Sequence, residues 1–333
     1  MERKKIKVSV IMLAYNIDRY VETAIRSVLC QELDEPVQLV IAEDSSTDRT
    51  LDICRGYEAL YPDRITLVRH EHNVGLQQNF LDAHCRCTGE YIAICDGDDY
   101  WTDRHKLRKM VAYMDAHPDT AICFHRVINY YEGDGSKSLS NGGQQAVTGL
   151  LDLARSNYIT NSSSLFRRKY YPEAPAWFAR ITSCDYAMHL LNAQHGSIYY
   201  FKRPMAVYRK HGKGIWSEAG ADKQLTAALE VREQLLDFFQ EQRLVYATLL
   251  VPYRQIAVAL LRYYRKAGDD EGIAAIRMRL LHRFPDETMI KLMQLDGEVP
   301  VAAASVRWRK GVFLLLKHCR QLVSRCLPLP RIR

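Results

Sequence analysis

Three carboxylates crowd one short turn, Asp96-Gly97-Asp98-Asp99, directly after the apolar run at residues 91–95. Like charges gathered at the end of a buried strand repel one another unless a cation neutralises them. Hard oxygen donors in small number suit Mg2+ or Mn2+, held by one or two carboxylates with substrate phosphates completing the shell. The first chemistry this sequence suggests is therefore that of a phosphate-bearing substrate and a divalent ion. The competing reading is a solvated acidic turn ahead of a helix beginning at Arg104, and an isolated Asp-x-Asp does not decide between the two.

The surrounding elements favour a site. Residues 7–13, 37–42, 65–69 and 91–95 read as strands, and residues 18–31, 51–60, 76–87 and 104–116 as helices. In the first helix Val21, Ala24, Ile25, Val28 and Leu29 recur at i, i+3, i+4, i+7 and i+8, which makes one buried stripe. Ser45, Ser46 and Thr47 offer N-caps to the second. Near-continuous apolar strands separated by helices indicate a parallel sheet covered on both faces. Ligands bind such sheets beyond the carboxyl ends of the strands. Tyr15-Asn16, Glu43-Asp44-Ser45 and the Asp96–Asp99 turn all fall there.

Further along, residues 121–131 are apolar, and Gly/Ser/Asn-rich residues 133–143 read as a mobile loop. A helix follows over 185–194, then a strand pair at 198–201 and 205–208 and a glycine-rich flexible loop at 210–220. Residues 222–295 have a helical pattern interrupted at Pro252 and Pro285, and no repeat of fixed period occurs. The expected division is an α/β domain at 1–215, a helical region at 216–300 and a basic tail at 301–333.

In order and spacing, Val8…Tyr15-Asn16, Glu43-Asp44-Ser45-Ser46-Thr47-Asp48, Asn73-Val-Gly75 and Gly89-Glu90-Tyr91…Asp96-Gly-Asp98-Asp99 resemble glycosyltransferase family 2. The continuation through Trp101 and Lys106-Leu107 is similar to bacterial members that build surface polysaccharide or lipopolysaccharide. The resemblance implies a GT-A fold, an α/β, Rossmann-like, mostly parallel sheet with a C-terminal helical appendage. It also implies metal-dependent, inverting transfer from a nucleotide-sugar donor, UDP-linked by expectation, to a glycan or lipid-linked acceptor. Leu13, Ala14 and Tyr15 would then line the base pocket, with Tyr15 as stacking wall and Asp44 or Glu43 accepting from the ring N–H. Asp96 and Gly97 would meet the nucleotide, with Asp96 at the ribose or the cation's water shell. Asp98, with Asp96 and His211, would bind Mg2+ or Mn2+.

Asp185, in Thr182-Ser-Cys-Asp185-Tyr186, matches the family's general base, although Cys184 stands where an acid is usual. Asp185 could equally N-cap its helix. Tyr208-Arg-Lys-His211-Gly-Lys-Gly214 matches a segment closing over the diphosphate, where Arg209, Lys210 or Lys213 would neutralise phosphate and Trp216 would stack on sugar. Trp101 suits core packing, and Asn161-Ser-Ser-Ser164 is either acceptor-facing or a simple turn.

Composition bounds the alternatives. With 47% hydrophobic and 26% charged residues, the 333-residue chain is an ordinary globular one. The net charge of +7 is concentrated in residues 301–333, whose eight Lys/Arg and no acid leave the first 300 residues at −1. Val312, Leu315, Leu316, Cys319, Leu322 and Val323 recur there at helical spacing. A basic amphipathic helix suits an anionic membrane surface, so peripheral placement on the cytoplasmic face of the inner membrane is expected; a helix docked on its own domain is the alternative. Nine cysteines without a zinc pattern read as reduced thiols, and no stretch approaches the ~20 apolar residues of a membrane span. No recognition motif supports nucleic-acid binding. A pyrophosphorylase lacks its Gly-rich, Arg-containing loop here, a dinucleotide oxidoreductase lacks Gly-x-Gly-x-x-Gly, and a donor-binding scaffold without catalysis is the non-enzymatic alternative.

Overall fold

The computed structural model describes residues 5–170, 174–212 and 220–284. The chain divides into two compact units, Met1–Ile256 and Ala257–Arg333. The first is built on a sheet of ten strands among the described residues: β1 (Val8–Ala14), β2 (Val37–Glu43), β3 (Ile65–Arg69), β4 (Tyr91–Ile94), β5 (Tyr100–Trp101), β6 (Thr120–Tyr131), β7 (Lys137–Leu139), β8 (Val147–Thr148), β9 (Leu165–Arg167) and β10 (Ser197–Lys210). The order is β3-β2-β1-β4-β9-β6-β10-β5, with β7 on β6 and β8 on β10. The long ladders, β1 with β2 and β4, β2 with β3, and β6 with β10, are parallel. β9 joins the two parallel halves by antiparallel pairing to both β4 and β6.

Strand alternation sends Val8, Val10 and Met12 into one core with Val21, Ala24, Ile25 and Val28 of α1 (Val21–Leu29) and Leu107, Met110, Val111 and Met114 of α4 (Lys106–Ala116). Each such buried Val, Leu, Ile or Met side chain contributes about 1.5–3 kcal/mol. Helix α2 (Thr50–Leu60) packs on β2 and β3, and α3 (Leu76–Cys85) on β1 and β2. Beyond β8 come α5 (Leu150–Arg155) and α6 (Asp185–Ala193).

Several expectations change. Ser45, Ser46 and Thr47 do not cap α2; Ser46 Oγ accepts from Asn16 N–H and Thr47 N–H donates to the Asn16 side chain, tying the β1 and β2 loops together. Residues 133–143 are not one loop, because Lys137–Leu139 pairs with β6. The expected strand pair is a single strand, β10, whose register against β6 shifts around Pro204. Proline cannot donate to the ladder, so the chain bulges there and resumes.

Three helices follow: α7 (Ala221–Phe238), α8 (Arg243–Ala267) and α9 (Asp270–Arg283). Pro252 lies inside α8 without ending it. An interior proline costs about 3 kcal/mol, and burial of Leu249 and Tyr253 on either side within the first unit offsets it. α8 also corrects the expectation that no apolar stretch approaches a span: by length and composition it could cross a membrane. Only Arg254 and Gln255 interrupt its apolar middle. Val245, Leu249 and Tyr253 form a buried stripe, and 39% of the apolar window is buried. Pro285 and the basic tail at 301–333 lie outside the described residues.

Candidate active site

The carboxyl ends of β1, β2 and β4 meet at one edge. Ala14 C=O accepts from Asp44 N–H at 3.0 Å, and Leu13 C=O accepts from Gly97 N–H at 3.1 Å. Gly97 is required there: a Cβ at that position would sit 2.8 Å from the Leu13 carbonyl oxygen and 2.4 Å from the Ile17 side chain. Leu13 is half-buried, Ala14 is buried, and Tyr15 stands 41% exposed at the rim. Asn16 and Ser45 each adopt positive φ, 52° and 59°, in a region where Asn is tolerated and Ser is uncommon.

Both acids ending β2 are buried and engaged. Glu43 Oε1 accepts from Ser46 N–H at 2.7 Å, while Glu43 Oε2 is buried with no partner among the described residues. Asp44 accepts from Val74 N–H at 2.7 Å and from Gly75 N–H at 3.0 Å. The Asn73-Val-Gly75 motif thereby acquires a physical role. Gly75, at φ 86°, turns its N–H onto the Asp44 carboxylate.

The acidic turn after β4 is held by residues with no obvious pattern. Asn161 donates to both oxygens of Asp96, at 3.3 and 3.2 Å. Ser162 donates its hydroxyl to Asp99. Both belong to one 3-10 turn, Asn161–Ser163. Its Ser162 carbonyl is fixed in turn by Trp101 Nε1–H at 3.0 Å and Lys106 Nζ at 3.2 Å. Lys106 is fully buried with its ammonium 3.5 Å from the Trp101 ring centroid, and burial pulls its pKa down to about 7. Trp101, 4% exposed, is a core residue as expected.

From the far side, β10 reaches the same turn. Arg209 N–H donates to Asp99 at 2.9 Å, and its guanidinium donates to the Asp98 carbonyl at 2.8 Å while lying 4.5 Å from the Tyr100 ring. His211 Nε2 is 3.0 Å from Asp98 Oδ2, and its ring packs on Tyr20 at 4.8 Å. Burial, then the charge of Asp98, raises the Asp96 pKa to about 7; Asn161 opposes this and Asp185 adds to it. Asp99 is pushed up in the same direction, by burial first and then by Asp98 and Asp96.

Asp185 opens α6 but does not cap it, since Cys184 occupies the N-cap. Ser183 Oγ donates to Asp185 at 2.8 Å and Asn157 donates weakly at 3.4 Å. The charge of Asp185 reaches Asp96 and adds to the upward push on its pKa. One turn behind, His189 is fully buried, and burial holds its imidazole neutral, its pKa down to about 4.

Asp98 and His211 are thus brought together as a two-donor set. Asp96 is turned instead to Asn161. Among the described residues no group of three His, Cys, Asp or Glu side chains is gathered closely enough to hold a metal ion. A carboxylate and an imidazole beside two further acids nevertheless suit a hard divalent cation whose shell is completed by phosphate oxygens. Lys213 and Trp216 lie outside the described residues. Sequence reading missed the grips of Asn157, Asn161, Ser162 and Ser183. The polar run at Asn161–Ser164 was the one signal that could have found two of them.

Comparison with known proteins places the chain in a family. Residues 9–174 match the model of Glycosyl transferase family 2. The chain is 33% identical over 307 residues to an uncharacterized protein of Mycobacterium tuberculosis, covering 88% of this chain and 84% of that one. It is 38% identical over 107 residues, 32% of this chain and 41% of the relative, to a Bacillus subtilis protein named as the teichuronic acid biosynthesis glycosyltransferase TuaG. Among solved structures it resembles Staphylococcus aureus TarS 1-349 in complex with UDP-GlcNAc (TM-score 0.55, 17% identity, 84% of this chain and 92% of that one). It also resembles the Pyrobaculum calidifontis mannosyltransferase PcManGT in complex with GDP-Man and Mn2+ (TM-score 0.52, 17% identity, 92% and 88%).

Proposed function

The chain belongs to glycosyltransferase family 2, and on that premise we propose that it is an inverting transferase. It moves a sugar from a nucleoside-diphosphate donor to a hydroxyl of a bacterial surface glycan or its lipid-linked precursor. The observation that supports this reading is the pairing of Asp98 with His211 at 3.0 Å beside Asp96 and Asp99 at the strand ends, with Cys184 rather than Asp185 at the N-cap of α6. The name of the teichuronic acid relative supports a surface glycan as the product, and the UDP-GlcNAc and GDP-Man complexes of the structural neighbours support a nucleotide-sugar donor.

The residues divide the work. Leu13, Ala14 and Tyr15 form the base pocket, with the exposed Tyr15 ring as stacking wall. Asp44 anchors the pocket's floor through Val74 and Gly75 and retains lone pairs for a ring N–H. Glu43, fully buried, braces the loop behind it. Asp96, steadied by Asn161, meets a ribose hydroxyl or the water shell of the cation. Asp98 and His211 would hold Mg2+ or Mn2+. When bound, such an ion withdraws charge from the diphosphate and eases its departure.

Asp185 takes the proton of the acceptor hydroxyl. The freed oxygen attacks the anomeric carbon from the face opposite the diphosphate. The bond from that carbon to the phosphate oxygen breaks, and its electron pair leaves with the nucleotide. Arg209 is fixed beside the developing negative charge by its bond to the Asp98 carbonyl and by Tyr100.

The test couples donor binding to turnover. A thermal-shift screen of nucleotide sugars with and without Mn2+ identifies the donor. Asp185→Asn is then expected to lower transfer 10²–10⁴-fold, the span typical of a lost general base, with the donor-induced shift retained. Full turnover in that variant would remove Asp185 from the mechanism.

A further inference from the structure

Lys106 opens α4 with its side chain fully buried. Lysines are almost never buried so completely unless a partner neutralises them. Here no described carboxylate does so. The ionisable groups acting on the ammonium are the thiols of Cys95 and Cys123, which burial keeps protonated. The helix start makes matters worse, since its free N–H groups repel a cation and no acid stands in the first turn of α4. Packing alone would be served better by a methionine of the same length, because an uncompensated charge is destabilising to desolvate.

What the amine does hold is one backbone oxygen. Its Nζ donates to the Ser162 carbonyl at 3.2 Å while lying against the Trp101 ring, and Trp101 Nε1–H donates to the same carbonyl at 3.0 Å. Both lone pairs of that oxygen are thereby taken. The turn is tied internally as well: Ser163 Oγ donates to the Thr160 carbonyl at 2.6 Å and Ser164 Oγ to the Asn161 carbonyl at 2.8 Å. On its other side the Ser162 hydroxyl donates to one oxygen of Asp99, whose second oxygen accepts from Arg209 N–H at 2.9 Å. The Arg209 guanidinium lies over the rings of both Tyr20 and Tyr100, 5.2 and 4.5 Å from their centroids. An unbroken line of contacts thus runs from Lys106 through Ser162 and Asp99 to Arg209.

We infer that Lys106 is a positioning residue for sugar transfer: by locking the Ser162 carbonyl it fixes Asp99, and through Asp99 it holds Arg209 where charge gathers on the departing diphosphate. The inference rests on the transferase reading above, in which Arg209 stands beside that charge. Lys106 itself touches neither donor nor acceptor. Its burial without a counter-charge is stability given up for the direction of a side chain three contacts away.

The test compares the full-length protein with Lys106→Met, Ser162→Ala and the double variant in the transfer assay, with Tm read beside it. Lys106→Met removes the charge and its N–H groups at constant length. It is expected to lower kcat by about tenfold or more with donor KM within about threefold, the pattern of an interaction made only in the transition state. Its Tm is expected to be equal or higher, since the buried charge is gone. Ser162→Ala should lower kcat to a similar extent. Because both act through Asp99, the double variant should fall no more than about threefold below the slower single one, where independent effects would multiply. Lys106→Gln keeps N–H donors on a shorter, neutral chain; its kcat should lie between Lys106→Met and the parent, and it carries the same comparison if the methionine variant does not fold. A kcat in Lys106→Met within about threefold of the parent overturns the inference. So does a loss of kcat that comes with lower Tm and raised KM, which marks general loosening, and so does a double variant at the product of the two singles. The transferase reading fails separately, on full turnover in Asp185→Asn.

Discussion

Two acidic clusters stand at the same edge of the sheet, and their charge is compensated in opposite ways. At the end of β2, Asp44 receives two backbone N–H groups from Val74 and Gly75, and Glu43 receives one from Ser46. At the end of β4, Asp96 receives only an amide side chain, and burial first and then the charge of Asp98 lift its pKa to about 7. The first cluster is met mainly by backbone N–H groups, with Glu43 Oε2 left over, whereas the second, though Asp98 and Asp99 have partners of their own, gathers three acids whose repulsion an external positive charge would relieve. A buried carboxylate bonded to N–H groups stiffens a loop. One left among its own kind is poised to bind.

This contrast can be broken by substitution. Asp98→Asn should lower transfer by about 10³-fold, of the order found for loss of a transition-state charge stabiliser, with little change in the urea midpoint. An unfolded or fully active variant would dissolve the distinction between the clusters. Gly97→Ala comes next, because its methyl would meet the Leu13 carbonyl at 2.8 Å. We expect a loss of 1–3 kcal/mol from the overpacking and displacement of the acids on either side, read as lower stability and weaker donor binding together.

Asp44→Asn should do the reverse of Asp98→Asn. It turns an amide NH2 toward one of two N–H donors, costing about 1.5–3 kcal/mol for a lost charge-assisted bond, seen in urea unfolding before any effect on chemistry.

The smallest effect sharpens the comparison through pH. Asp96 has a folded pKa near 7 against an ordinary value of 3.8. The folded state thus binds more protons between those values, and the metal-free protein loses stability from this group as pH rises through the window. A cation needs the deprotonated form. The Mn2+-induced rise in Tm should therefore be larger at pH 7.5 than at pH 5.5, with affinity falling up to about tenfold per pH unit below 7. An equal shift at both pH values would remove Asp96 from the cation's surroundings.

Much of the half built on β1 to β4 was legible because its strands are uninterrupted apolar runs. The expected strand at residues 65–69 coincides with β3, and the others end within a residue or two of β1, β2 and β4. β10 was read as two strands because Lys202, Arg203 and Pro204 break its apolar pattern, and only pairing with β6 carries it through them. The acids were legible as charges at strand ends. Their supports were not, because Asn161 and Ser162 lie 65 and 63 residues from their partners and have no periodicity to betray them. The cap expected of Ser45–Thr47 failed for a related reason: a hydroxyl near a helix start can equally serve the neighbouring loop.

β10 delivers Arg209 to Asp99 and His211 to Asp98 across 110 and 113 residues of sequence. Those partners, and Asp185, all lie past residue 174, where the match to the family model stops. A fragment ending at that boundary would keep the strand ends at Leu13–Tyr15 and Asp44 yet have neither the His211 imidazole nor the Asp185 carboxylate. For chains of this kind, a hit confined to the shared segment certifies ancestry, while competence is decided by what the rest of the polypeptide brings back to it.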